Sequence, residues 1–98
     1  MSNVGFRQYN NIKRPDKALV ELFRGLPTPN IDDNMNRMFS LRGLKPYNKT
    51  PLLGTAFTVR VAAGNNLMFN RAIDLAQPGD VLVVDGGGYT ERALCGEI

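Results

Sequence analysis

Between two clusters of turn-forming residues, Gln77-Pro78-Gly79-Asp80 and Gly86-Gly87-Gly88, the chain runs Val81-Leu82-Val83-Val84 without a polar break. Four aliphatic residues in a row leave no face for water, so the run is predicted as a strand covered on both sides, as in α/β sheets. Such a strand needs neighbours along its edges, and a helix leaving its carboxyl end crosses over to a parallel partner. Here Thr90-Glu91-Arg92-Ala93-Leu94 begins such a helix only shortly before the last position, Ile98. The expectation is therefore that these 98 residues are the front part of a larger α/β domain.

The rest of the chain supplies elements of matching kind. Gly54 to Val61 alternates, with Thr55, Phe57, Val59 and Val61 on one face and Ala56, Thr58 and Arg60 on the other. That pattern predicts a strand with one wet or functional side. Asn65 to Ala76 returns to helical period, with Leu67, Met68, Ala72, Ile73 and Ala76 inward and Arg71 and Asp74 outward. Nearer the start, Pro15 suits a first helical turn, and Ala18, Leu19, Leu22, Phe23 and Leu26 recur at helical spacing until Gly25 and Pro27-Thr28-Pro29 intervene. Asn30 is read as the N-cap of a second helix with Asp32 and Asp33 in its first turn and Ile31, Met35, Met38 and Phe39 as its buried stripe. Gly43 to Pro51 is a loop, and residues 1–12 are a polar, flexible arm.

Composition narrows the chemistry more than the fold. The chain has no histidine. That removes Ser-His-Asp and Cys-His catalysis, His-ligated zinc and histidine general bases. A metal site would have to come from carboxylates, carbonyls and water, which favours a hard ion such as magnesium or manganese. The lone Cys95 cannot form an internal disulfide, and no run approaches the length of a membrane span, so a soluble, cytoplasmic setting without membrane contact is expected. Residues 1–49 carry nine Lys/Arg against four Asp/Glu, while residues 50–98 carry three against five. The cations of the basic half are scattered rather than clustered with aromatics, which reads as solvated surface and not as a direct nucleic-acid interface.

Chemistry is most concentrated from Asp85 onward. A strand that ends in glycines before a helix brings backbone N–H groups close to a ligand, and the helix start favours a carboxylate or phosphate. The same glycines also serve a simple tight turn. The spacing is not that of a dinucleotide fingerprint, because Glu91 stands at the third glycine position, and no Gly-Lys-Ser/Thr follows for a P-loop. Cys95 is open to a nucleophile reading, but with no histidine partner it fits a packing thiol better. Arg92 can meet an anion or pair with Glu91 or Asp85, and Asp85 suits a cap for the glycine turn more than a metal ligand.

Three stretches together resemble one family. They are Pro51-Leu52-Leu53-Gly54-Thr55-Ala56-Phe57-Thr58-Val59, then Gly64-Asn65-Asn66-Leu67, then Pro78-Gly79-Asp80-Val81-Leu82-Val83-Val84-Asp85-Gly86-Gly87-Gly88 followed by Ala93-Leu94-Cys95-Gly96-Glu97-Ile98. They are similar to the RraA-like group, which takes in 4-hydroxy-4-methyl-2-oxoglutarate aldolase and the regulator of ribonuclease E activity A. At the first Asn of the second stretch, Asp is more usual. The resemblance covers about residues 26–98 and implies that 13–98 is the N-terminal part of one swivelling β/β/α-type sandwich domain with N-terminal helices.

The resemblance further implies a homotrimer or homohexamer with clefts between subunits and a lyase dependent on Mg2+ or Mn2+. The ion holds a 2-oxo acid and stabilises the pyruvate enolate, and the same logic gives oxaloacetate decarboxylation. Residue by residue, Gly96, Glu97 and Ile98 match the segment whose backbone N–H groups hold the substrate carboxylate. Glu97 also matches the acidic position that orients metal-bound water, a role the surrounding match favours over that of an ordinary surface carboxylate on a helix. The family's Arg-Asp pair, whose Asp binds the metal directly, is expected beyond Ile98. On this reading no metal ligand lies in this chain, and it is inactive alone. Rivals from other classes are a non-catalytic regulator that binds ribonuclease E and a phosphate- or nucleotide-binding α/β module.

Overall fold

The computed structural model describes residues 7–62 and 65–88. These fall into two units, one joining the residues up to Arg14 to those from Gly54 onward, the other comprising Pro15–Leu53.

In the first unit the alternating stretch forms strand β1 (Thr55–Arg60) and the aliphatic run forms β2 (Asp80–Asp85). They pair in parallel, in a register that sets Thr55 beside Asp80, Phe57 beside Leu82, Val59 beside Val84 and Arg60 beside Asp85. Because partners in a parallel ladder share a face, one side of the ribbon collects Phe57, Val59, Leu82 and Val84. The other side carries Ala56, Thr58 and Arg60 with Val81, Val83 and Asp85. A parallel pair needs a crossover. It is helix α1 (Leu67–Leu75), started by Asn65, whose Oδ1 accepts the Leu67 N–H at 2.9 Å. Phe57, Val59, Val61 and Ala72 are buried, and Met68, Phe69, Leu75, Leu82 and Val84 pack around them.

Two expectations change here. The helix turns Met68, Phe69, Ala72 and Leu75 toward the sheet and leaves Leu67 57% and Ile73 37% exposed. Three consecutive apolar residues, Leu67-Met68-Phe69, permit more than one stripe at 100° per residue, and the large Phe69 ring takes the inward place. The aliphatic strand is covered on one face only among the described residues: Leu82 and Val84 pack on the core while Val83 is 37% exposed. An unbroken apolar run records two faces fit for burial, and α1 covers one.

The start of the ladder is tightly built. Gly79, at φ 91°, turns the chain into β2, and its carbonyl accepts the Thr55 N–H at 3.1 Å. Gly54 lies so close that an added Cβ would collide with the Gly79 oxygen and stand 2.9 Å from Val81 Cγ2. Asp80 closes the turn by accepting the Gln77 N–H at 2.9 Å.

The Pro15–Leu53 unit holds two short helices, Lys17–Glu21 and Thr28–Asp33. The first regular stretch stops at Glu21 and tightens into turns, with Phe23 N–H on Val20 O at 3.1 Å and Arg24 N–H on Glu21 O at 3.0 Å, before Gly25 at φ 77°. The second begins earlier than expected: Pro27 takes the N-cap and Pro29 fits the first turn, which lacks amide partners anyway. It also ends earlier. Asn36 and Arg37 adopt φ 61° and 57°, and the Arg37 N–H closes back on Asp32 O at 2.9 Å. A helix terminated in this way cannot carry a stripe from Ile31 to Phe39. Met35, Met38 and Phe39 are accordingly 44%, 76% and 65% exposed, not buried.

Candidate functional site

The two ends of the parallel ladder are built differently. At the amino end, Arg14 donates from Nε and Nη2 to both oxygens of Asp80 at 2.8 and 2.7 Å. The Asp80 side chain is 2% exposed. The Arg14 guanidinium and the Gln77 amide hold the Asp80 carboxyl below the usual carboxylate range, and Asp80 in turn raises Arg14. Both oxygens of this carboxylate are engaged, so this end is occupied by its own contacts.

At the carboxyl end the groups face outward. Asp85 Oδ1 accepts the Gly87 N–H at 2.9 Å, and Asp85 Oδ2 stands 3.4 Å from Arg60 Nε. Asp85 thus caps the glycine turn, the role favoured for it from sequence. Gly87 and Gly88 follow at φ 69° and 77°, left-handed values where a side chain would be strained. Open α/β sheets bind ligands beyond the carboxyl ends of their strands, and Arg60, Asp85 and the glycine turn lie at that end.

Gly96, Glu97 and Ile98, with Cys95, Arg92 and the helix expected from Thr90, lie outside the described residues. What the structure gives is their lead-in: β2, its Asp85 cap and the glycine turn that sends the chain onward. Spacing could not reveal the Arg14–Asp80 pair, whose members stand 66 positions apart. Nor could it reveal the Arg60–Asp85 pair, which follows from a register known only once the strands are paired.

The described residues do not by themselves fit a divalent cation. No three of the His, Cys, Asp and Glu side chains among the described residues come together to supply one. No helix among them is long and apolar enough to cross a membrane.

A parallel βαβ unit with a paired amino end and a glycine turn at its carboxyl end places the chain among the α/β proteins. Among these, the sequence profile described as RraA-like: Aldolase/RraA matches residues 28–98. The chain belongs to the RraA-like family. It is 40% identical over 80 residues to a curated Halalkalibacterium halodurans protein provisionally named 4-hydroxy-4-methyl-2-oxoglutarate aldolase. That alignment takes in 80% of this chain and 38% of the relative, so the chain spans well under half of the relative's length. No solved structure matches it significantly.

Proposed function

We propose that this chain is the leading part of a lyase that cleaves a carbon–carbon bond beside a 2-oxo acid, splitting 4-hydroxy-4-methyl-2-oxoglutarate to pyruvate and decarboxylating oxaloacetate. One observation carries the reading: the family match spans residues 28–98, taking in both the Asp85-capped glycine turn after β2 and Gly96, Glu97 and Ile98. The aldolase name of the bacterial relative points the same way. In this reading the glycine turn leads on to Gly96, Glu97 and Ile98, which hold the substrate carboxylate, and Asp85 keeps the turn in shape. The requirement for Mg2+ or Mn2+ belongs to the proposal, with its direct ligand outside this chain. So do the complete β/β/α sandwich, a trimeric or hexameric assembly and a cytoplasmic location.

The test uses the full-length protein. Pyruvate should appear from oxaloacetate and from 4-hydroxy-4-methyl-2-oxoglutarate when magnesium or manganese is present, and chelation should abolish it. Absence of pyruvate from both acids with either ion refutes the lyase reading. The family description joins aldolase and RraA, so a second reading stands beside it: a non-catalytic regulator of ribonuclease E. Inhibition of ribonuclease E by a protein that releases no pyruvate would establish that one.

A further inference from the structure

The family match begins at residue 28, yet the most deeply engaged side chain at the start of the ladder takes its partner from upstream of it. Asp80 is almost fully covered, and a covered carboxylate is stable only when its lone pairs are satisfied. The Gln77 amide supplies one donor at 2.9 Å, and Arg14 supplies a forked pair at 2.8 and 2.7 Å. A planar guanidinium matches both carboxylate oxygens at once, which an ammonium cannot do. The same group stands over the Phe57 ring, with Cζ 5.9 Å from the ring centre, so it covers a core residue of β1 while binding the first residue of β2. Further upstream, Gln8 Oε1 accepts from Arg71 Nε of the crossover helix at 3.1 Å. Residues 8–14 therefore touch the α/β unit twice, once loosely on α1 and once firmly at the head of both strands.

We propose that residues 8–14 are a strap fastened by Arg14, and that the order of the Gln77–Asp80 turn and the cover over Phe57 depend on that clasp. The strap is a working part of the α/β unit although it precedes the family-matched stretch. Removing Arg14 leaves Asp80 enclosed with one donor instead of three. The turn then loosens to admit water, and the Phe57 edge of the core opens with it.

Hydrogen exchange of the full chain, read by mass spectrometry in Arg14→Met and Arg14→Lys, tests this. In the unaltered protein the Gln77 and Asp80 amides, both hydrogen-bonded within the turn, should exchange more slowly than those of an unstructured peptide. In Arg14→Met these two amides should exchange at least about tenfold faster, with the middle of α1 changing less. Arg14→Lys keeps the charge but loses the fork, and should fall between the two. If Arg14→Met unfolds throughout, selective loosening of the turn in Arg14→Lys still supports the clasp. Exchange of the Gln77 and Asp80 amides at the unstructured rate in the unaltered chain overturns the proposal. So does exchange of these amides unchanged in the two variants.

Discussion

Gly54→Ala isolates the close approach at the head of the ladder. The new methyl would collide with the Gly79 carbonyl oxygen and press on Val81 Cγ2 at 2.9 Å. The valine can turn aside. The oxygen cannot, because it belongs to the turn that Gly79 forms at φ 91° and already accepts the Thr55 N–H at 3.1 Å. Relief requires the strands to part on the order of 1 Å, which stretches that hydrogen bond beyond useful range. Losing the bond costs about 1 kcal/mol net, and overpacking a site with no slack adds about 1–3 kcal/mol. The expected loss is therefore about 2–4 kcal/mol, a large part of the stability of a small domain. With a urea slope near 2 kcal/mol/M, the unfolding midpoint of the full-length protein should fall by about 1–2 M. Adding Val81→Ala should not restore it, since the backbone oxygen remains. A Gly54→Ala midpoint within about 0.25 M of the parent, equivalent to about 0.5 kcal/mol, would refute the steric reasoning.

Three further outcomes follow from the same contacts. Phe57→Ala removes a ring that is 7% exposed at the centre of the core, and should cost about 3–5 kcal/mol in urea unfolding, whereas Phe57→Leu should cost clearly less. Asp80 has a carboxyl held below its ordinary value of 3.8, so its contribution is present above that value and disappears as pH falls through the lower folded one. The gap in urea midpoint between the parent and Asp80→Asn should thus be constant from pH 7 to pH 5 and narrow below about pH 4; a gap that widens on acidification would contradict the sign. Glu97→Ala in the full-length protein should lower kcat by at least about a hundredfold while the far-ultraviolet circular dichroism is unchanged, and near-normal turnover would remove the role assigned to Glu97.

Period and turn chemistry make the two strands and the helix between them legible in the sequence, but not their parallel pairing. Phe57, Val59 and Val61 share a face as their alternation requires, and Pro78-Gly79 and the three glycines bracket β2 where turn residues must. Side-chain pattern was a poorer guide where two stripes were chemically equivalent, as at Leu67-Met68-Phe69, because only packing chooses between them. It failed for the Met35, Met38 and Phe39 stripe for a backbone reason: Asn36 and Arg37 enter the left-handed region and end the helix, and neither is a glycine that would have announced it. Asp85 was read correctly because its hydrogen bond to Gly87 is local, spanning two residues. Arg14 and Asp80 were read as a surface cation and a turn residue because their bond is set by the tertiary fold alone.

The contrast between the ladder's two ends gives these observations a common cause. In a parallel pair every strand starts at one end and finishes at the other, so the unpaired backbone groups at the two ends differ in kind. At the amino end they are consumed internally: Gly79 O by Thr55, the Gln77 amide by Asp80, and the Asp80 oxygens by Arg14. With those groups paired and a glycine required for closeness, substitutions there should register as stability. At the carboxyl end, among the described residues, Asp85 Oδ1 caps the glycine turn and Asp85 O accepts the Val61 N–H, while Arg60 and Asp85 remain 87% and 60% exposed in a loose 3.4 Å pair. Exposed, weakly committed charges contribute little to stability and are free to be re-partnered. Among the described residues, the buried, bidentate contact sits at one end and the exposed charges at the other, which separates residues that hold the fold together from those that can meet a ligand. That separation is why a change at Gly54 or Asp80 and a change at Glu97 are expected to be read in different assays.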